Sequence, residues 1–212
     1  MNRLGYSSLS DHQQKAVVEF VGGHDVLVVL PTGSGKSVCF ASLPWLYTSI
    51  VMVVAPLNSI MMDQVSTFTK KGLSSVFVNA ASVQDDPDLN RKLNEGMYQL
   101  VYIGPEMLIG QPIYRDMLMN PIYQKHLVAF VVDEAHCIKS RGTKFRGAFM
   151  RLGEIRSLMH PSLNVMALTA TAVHLTKTVI RRTLGMSQNS CEIVASPIKK
   201  TSSLSYLRKL KA

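Results

Sequence analysis

The 212-residue chain has few cysteines and no long apolar segment. Its three cysteines, Cys39, Cys137 and Cys191, are widely spaced and odd in number, which excludes a zinc site made of four cysteines within the chain. We therefore expect a reduced, intracellular protein, in the nucleus of a eukaryote and otherwise in the cytoplasm. No apolar run approaches the roughly 18 residues of a membrane span, and no apolar core follows Met1 as in a secretory signal. We expect no membrane partner.

Acidic residues are scarce in the last third of the chain. Residues 1–138 contain 9 lysines and arginines and 12 acidic residues, a balance of −3. Residues 139–212 contain 14 and 2, a balance of +12. Charge distributed in this way favours a polyanionic partner such as nucleic acid. The simpler alternative is a set of solvated helix faces, and the charge balance favours nucleic acid over it.

Short apolar runs alternate with amphipathic stretches. We predict strands over residues 26–30, 50–55, 76–79, 100–103, 127–132, 164–168 and 191–195. We predict helices over residues 11–21, 35–47, 57–71, 87–95, 147–159 and 173–184, with mixed helical turns over residues 105–126. This alternation predicts an α/β domain with a mostly parallel central sheet and helices on both faces. The domain would span residues 1–196, followed by a basic linker over residues 197–212, and ligands would bind at the carboxyl ends of the strands.

A glycine-rich turn follows the first apolar run. Its sequence is Pro31-Thr32-Gly33-Ser34-Gly35-Lys36-Ser37, and a predicted helix comes next. Backbone N–H groups in such a turn cradle phosphate oxygens, and glycine lets the backbone approach them closely. We expect Lys36 to reach the β- and γ-phosphates and the Ser37 hydroxyl to bind Mg²⁺. The general pattern has glycine where Leu30 stands.

Adjacent carboxylates follow the fifth apolar run, in the segment Asp133-Glu134-Ala135-His136. We expect Asp133 to hold Mg²⁺, directly or through water, and Glu134 to orient and deprotonate the attacking water. Acidic residues also cap strand ends and helix starts, but the glycine-rich turn makes that alternative weak. The two segments together predict binding of a nucleoside triphosphate with Mg²⁺.

Two threonines, Thr169 and Thr171, follow the sixth apolar run. On a tight turn their hydroxyls can bond to the carboxylates or to His136. The alternative is an ordinary turn closed by threonine hydroxyls. Their place in the chain after the strand that carries the Asp-Glu segment favours a coupling role.

These segments resemble those of superfamily-2 helicases and, more closely, of the RecQ family. The resemblance covers nearly the whole chain. It is carried, in the family order, by Gly5-Tyr6, Gln13, residues 25–37, residues 53–57, Ser59, Asp63-Gln64-Val65, residues 102–106, residues 133–138 and residues 167–172.

The resemblance implies the first RecA-like domain of an ATP-dependent 3′-to-5′ DNA helicase. ATP and Mg²⁺ would be the cofactors, and single-stranded or forked DNA would be the partner. Tyr6 would stack on the adenine, Gln13 would hydrogen-bond the adenine edge, and His136 would relay the nucleotide state to the DNA side. The residues that would line the DNA path are Pro56, Ser59, Gly104, Pro105, Glu106, Arg141, Phe145 and Arg146.

The chain departs from the family pattern near both substrates. Ser10 stands where the family has an arginine, and Arg141 replaces a tryptophan in the loop that couples DNA binding to hydrolysis. Arginine can still stack on a base and attract phosphate. The resemblance also implies a second RecA-like domain, in cis or in trans, whose arginine finger contributes about 10³–10⁵ in rate. Since the 212 residues contain only the first domain, we expect ATP binding, slow hydrolysis and no unwinding.

Two alternatives belong to other classes. One is a non-catalytic nucleic-acid-binding remnant of a helicase, which the changes at Ser10 and Arg141 favour. The retained Lys36, Asp133 and Glu134 count against it. The other is a P-loop phosphotransferase for a small molecule, which would require a lid and an acceptor pocket.

Overall fold

The computed structural model describes residues 8–46, 49–56, 58–140, 143–170 and 173–195, and the side chains of these residues except 58–60, 139–140 and 143–146. The predicted linker over residues 197–212 lies outside the described residues.

Within these ranges, seven strands form one sheet. The strands are β1 Val26–Val29, β2 Ile50–Val54, β3 Ser75–Val78, β4 Leu100–Ile103, β5 Leu127–Val132, β6 Val165–Thr169 and β7 Cys191–Val194. Their order across the sheet is β3-β4-β2-β5-β6-β1-β7, and each neighbouring pair is parallel. The predicted strands and the predicted parallel α/β architecture are confirmed.

Short helices connect the strands. Those described are α1 Asp11–Val21, α2 Ser37–Ala41, α3 Leu43–Leu46, α4 Asn58–Lys70, α5 Ala80–Asp85, α6 Leu89–Asn94, α7 Pro105–Gly110, α8 Pro112–Met119, α9 Pro121–His126, α10 Cys137–Ser140, α11 Thr143–Met150, α12 Leu152–Arg156 and α13 His174–Thr183. None of the helices in the described ranges is both long and apolar enough to cross a membrane.

Several helices are shorter than the periodicity predicts. The stretch predicted over residues 35–47 divides at Ser42, because Pro44 has no N–H to continue the helical hydrogen bonding. The mixed stretch over residues 105–126 forms three helices, and each begins with a proline, which is favoured at the first helical position. The helix α5 was not predicted; Asn79 caps it by accepting a 2.6 Å hydrogen bond from Ser82 N.

The two faces of the sheet bury separate cores. Alternate residues of a strand point to opposite faces, so Val26 and Val28 of β1 share one core with Phe40 of α2. Leu27 of the same strand belongs to the other core, with Phe149 of α11. Helices α1 to α4 supply the first core and the later helices supply the second, which is the predicted arrangement on both faces.

A buried ion pair lies at the amino-terminal ends of the strands. The carboxylate of Asp25, whose side chain is 1% exposed, lies 3.0 Å from a guanidinium nitrogen of Arg156 in α12. The same carboxylate accepts hydrogen bonds of 2.7 Å from Val165 N and from Ser187 N. Asp25 therefore joins the starts of β1 and β6 to the segment after α13.

Candidate nucleotide-binding site

The predicted phosphate and magnesium residues converge at the carboxyl-terminal ends of the strands. Leu30 N donates a 3.1 Å hydrogen bond to Thr169 O, and Ala135 N donates a 2.8 Å hydrogen bond to Leu168 O. These bonds hold the loops that follow β1, β5 and β6 side by side. Open parallel sheets bind their ligands at these ends of the strands.

The loop over residues 31–37 requires its two glycines for different reasons. Gly33 and Gly35 have φ angles of 77° and 75°, in the left-handed region that favours glycine. A Cβ at Gly33 would meet no atom within 4 Å, so its requirement is purely conformational. A Cβ at Gly35 would lie 2.9 Å from Gln13 Nε2, so a side chain there would also displace Gln13.

The Lys36 side chain turns back toward the start of this loop. Its side chain is buried, and Nζ donates hydrogen bonds of 3.2 Å to Leu30 O and 3.3 Å to Pro31 O. An ammonium group has three donors, so one remains for a phosphate oxygen. Ser37 is the first residue of α2 and is partly exposed, and its Mg²⁺ contact stays a prediction.

Gln13 of α1 supports the loop from beneath. Its Nε2 donates hydrogen bonds of 3.0 Å to Ser34 O and 3.2 Å to Gly35 O. Its Oε1 accepts a 2.9 Å hydrogen bond from Ser10 N, which completes the capping box of α1. Ser10, the residue that departs from the family pattern, is thus the N-cap. The adenine contact of Gln13 stays a prediction, and its amide is committed to the loop in this structure.

Asp133 is buried at the end of β5. One of its carboxylate oxygens accepts a 2.9 Å hydrogen bond from Glu134 N. Burial and the neighbouring charge of Glu134 raise the pKa of Asp133, and the charge of Lys36 and a hydrogen bond from Gln64 oppose that rise. Mg²⁺ prefers oxygen ligands, so this carboxylate and the Ser37 hydroxyl suit it chemically. A bound cation would also keep the buried carboxylate ionised.

Sequence reasoning assigned no role to Gln64, although the family resemblance includes it. Gln64 lies on α4 and hydrogen-bonds the carboxylate of Asp133. Its Oε1 is buried and has no hydrogen-bond partner in the described part of the chain. The position of Gln64 in the helix after β2 places it near the carboxyl edge, but no local pattern identifies Asp133 as its contact.

Glu134 has a strained backbone. Its φ of 48° makes it the single residue other than glycine with a positive φ in the described ranges. Such conformations cost about 1–3 kcal/mol and concentrate at functional sites. Its Oε2 is buried without a hydrogen bond and lies 3.1 Å from His136 Nδ1. The Glu134 carboxylate therefore has the imidazole of His136 as its neighbour.

The structure brings the predicted coupling residues His136 and Thr169 together. His136 Nδ1 lies 3.3 Å from Thr169 Oγ1, and Thr169 is fully buried at the end of β6. The same imidazole nitrogen is close to Glu134 Oε2, so His136 is positioned between the carboxylate and β6. Thr171, the second predicted coupling residue, lies outside the described residues.

The residues predicted to contact DNA are only partly described. Pro56 is half-buried after β2, Gly104 is the N-cap of α7, and Pro105 and Glu106 are its first residues. Ser59, Phe145 and Arg146 lie in described helices, but their side chains are not described. Tyr6 and Arg141 lie outside the described residues. Their nucleotide and DNA contacts stay predictions.

A parallel sheet with a glycine-rich phosphate loop after β1 and an Asp-Glu pair after β5 defines a RecA-like nucleotide-binding domain. The profile of the DEAD/DEAH box helicase family matches residues 10–178, and the chain belongs to that family. Its resemblance to RecQ helicases is also confirmed. It is 33% identical to the ATP-dependent DNA helicase RecQ of Haemophilus influenzae over 185 residues, which are 86% of this chain and 29% of that protein.

A second relative is also a helicase, and two solved helicase structures have a similar fold. The chain is 34% identical to the ATP-dependent helicase wrn-1 of Caenorhabditis elegans, over 80% of this chain and 16% of that protein. Among solved structures it superposes on the DUF1998 helicase MrfA bound to DNA and AMPPNP, with a TM-score of 0.64 and 20% identity over 88% of this chain and 27% of that one. It superposes on the helicase domain of Pyrococcus furiosus Hef with a TM-score of 0.62 and 17% identity, over 85% and 37%. The chain thus spans less than a third of the RecQ and wrn-1 proteins.

Proposed function

We propose that this chain is the ATP-binding lobe of a RecQ-like 3′-to-5′ DNA helicase and binds ATP, Mg²⁺ and single-stranded or forked DNA. The observation that carries the proposal is the convergence of Lys36, Asp133 and Glu134 at one edge of the sheet. The names of the RecQ relatives support DNA as the substrate, and the basic balance of residues 139–212 agrees with a polyanionic partner. We also propose an intracellular location.

In this proposal each residue has a defined task. Lys36 gives its third donor to the β- or γ-phosphate. Asp133 and Ser37 hold Mg²⁺, which when bound neutralises charge that develops on the phosphate oxygens. Glu134 orients the attacking water and accepts its proton, with His136 Nδ1 3.1 Å from its Oε2. His136, which lies between Glu134 and Thr169, relays the nucleotide state to the DNA side.

Complete catalysis requires a second RecA-like domain, in cis or in trans. Phosphoryl transfer depends on positive charge around the γ-phosphate, and an arginine finger from the partner lobe supplies about 10³–10⁵ in rate. This lobe alone is therefore expected to hydrolyse ATP slowly and not to unwind DNA.

The test is steady-state ATP hydrolysis with and without single-stranded DNA, for the chain and for Lys36→Ala. Lys70→Ala is the matched control, because Lys70 is exposed at the far end of α4. Slow turnover that requires Lys36 supports the proposal, and acceleration by DNA extends it to coupling. Turnover equal to the Lys36→Ala background, together with retained DNA binding, would instead identify a nucleic-acid-binding remnant.

A further inference from the structure

Three side chains with metal-binding atoms meet at the amino edge of the sheet, opposite the nucleotide site. Glu19 is on α1, His24 is in the turn before β1, and Cys191 is the first residue of β7. A carboxylate oxygen, an imidazole nitrogen and the thiol sulfur all lie within 4.8 Å of one another. Because Cys191 pairs with Val26 at the start of β1, the cluster lies at the opposite strand ends from the phosphate loop.

Two of the three separations between these atoms are close to those in a tetrahedral metal site, and the third is within 4.8 Å. The Cys191 sulfur lies 3.2 Å from Glu19 Oε2, and His24 Nδ1 lies 3.5 Å from the same oxygen. Zinc bonds of about 2.3 Å to sulfur and about 2.0–2.1 Å to nitrogen or oxygen place neighbouring ligand atoms about 3.3–3.6 Å apart. The three atoms would enclose one ion if the thiol and the imidazole approached each other to that separation.

The backbone already holds the three residues in place. Cys191 N donates a 2.8 Å hydrogen bond to Asp25 O, and His24 N donates a 3.2 Å hydrogen bond to Glu19 O. Asp25 is itself fixed by its ion pair with Arg156. The side chains are half-buried, with His24 43% and Glu19 31% exposed, so an ion has access from solvent. A preorganised backbone lowers the entropic cost of binding.

We propose that Glu19, His24 and Cys191 form a three-ligand site for Zn²⁺, with water as the fourth ligand. A thiolate and an imidazole favour Zn²⁺ over Mg²⁺, whereas the oxygen ligands Asp133 and Ser37 favour Mg²⁺. Zn²⁺ would thus bind at the amino-terminal ends of the strands and Mg²⁺ at the carboxyl-terminal ends, so the two cations would not compete.

Binding requires two changes of protonation. A bond forms between zinc and the Cys191 sulfur as the thiol proton leaves to solvent, and the hydrogen bond from the thiol to Glu19 is lost. His24 binds through Nδ1, so its remaining ring proton must be on Nε2 and the contact of Nδ1 with Glu19 O is given up. No oxidant or reductant takes part.

An occupied site would connect two parts of the domain. It would fix α1 to the edge strand β7, which pairs only with β1 in the described sheet. Since Gln13, on the same helix as Glu19, holds the phosphate loop, zinc would stabilise the helix on which that loop rests. The cluster is independent of the proposed helicase function, and its test does not depend on ATP hydrolysis.

The experiment is a calorimetric titration of the metal-stripped chain with Zn²⁺ in excess Mg²⁺, together with absorption spectra of the Co²⁺ form. We expect one equivalent of zinc, a thiolate-to-cobalt charge-transfer band, and a rise in the thermal midpoint on zinc addition. Cys191→Ser should abolish the band and the midpoint shift, and His24→Gln should weaken zinc binding at least tenfold.

Two control variants separate this cluster from other ligands. His160→Gln changes an exposed histidine outside the cluster, and Cys137→Ala removes the thiol that lies 4.0 Å from His136 Nε2. Both should bind zinc as the unaltered chain does. His24→Gln alters an exposed turn, so it tests the site even where Cys191→Ser does not fold. Absence of stoichiometric binding, or binding that survives both Cys191→Ser and His24→Gln, would overturn the proposal.

Discussion

Gln13 of α1 donates a 3.0 Å hydrogen bond to the carbonyl oxygen of Ser34, so the first helix supports the phosphate loop directly. A second bond from the same amide reaches Gly35 O. The loop geometry around Lys36 thus depends on a residue that precedes it by more than 20 positions. This relationship gives Gln13 a role in phosphate binding that does not require contact with adenine.

Gln13→Ala should lower the affinity for ATP about tenfold, because two hydrogen bonds of about 1 kcal/mol or less each are lost and the loop is no longer held. Gln14→Ala, an exposed neighbour, is the control. Titration with tripolyphosphate separates the two possible roles of Gln13. If Gln13→Ala lowers the affinity for tripolyphosphate as much as that for ATP, Gln13 acts by holding the loop. If only the affinity for ATP falls, the adenine contact dominates.

Asp133 should destabilise the metal-free chain at neutral pH. Burial and Glu134 raise its pKa, and a carboxyl group with a raised pKa favours folding while protonated and loses that advantage as pH rises through its folded value. Asp133→Asn should therefore raise the thermal midpoint at pH 7 without Mg²⁺ by a few degrees. With Mg²⁺ and ATP, the unaltered chain should gain more stability than the variant. A variant that is no more stable without the metal contradicts this account.

Gln64 should tune the magnesium site from α4. Its hydrogen bond lowers the pKa of Asp133 and so favours the ionised carboxylate that Mg²⁺ requires, and Gln64→Leu should therefore raise the Mg²⁺ concentration needed for half-maximal ATP binding several-fold. Asp63→Ala, at the exposed neighbouring position, should not. Nucleotide binding measured across a Mg²⁺ series distinguishes them, and identical Mg²⁺ dependence for both variants would remove Gln64 from the site.

The ion pair of Asp25 and Arg156 should be worth far more to stability than the exposed pairs. Arg156→Ala leaves a carboxylate that is 1% exposed without its cation, and such losses cost about 3–5 kcal/mol. Arg151→Ala breaks an exposed pair with Glu154 and should leave the urea midpoint unchanged. Urea unfolding of both variants tests the contrast, and equal midpoints would contradict it.

Local patterns were sufficient for the strands, and the phosphate and magnesium roles of Lys36, Ser37 and Asp133 stay predictions. Apolar runs bounded by turn residues predicted all seven described strands. The helices between the strands predicted that the strands run parallel. The break at Ser42 was missed because the helical period continues through Pro44. Contacts between distant residues, such as Asp25 with Arg156 across 131 positions, have no local signal and depend on the assembled sheet. The positive φ of Glu134 likewise results from the packing around the site.

The most direct test of the central claim is equilibrium binding of a non-hydrolysable ATP analogue by calorimetry, with and without Mg²⁺. The account predicts one site with binding that strengthens with Mg²⁺ and is lost in Lys36→Ala but retained in Lys70→Ala. Binding that is unaffected by Lys36→Ala, or that is independent of Mg²⁺, would contradict the assignment of this edge of the sheet as the nucleotide site.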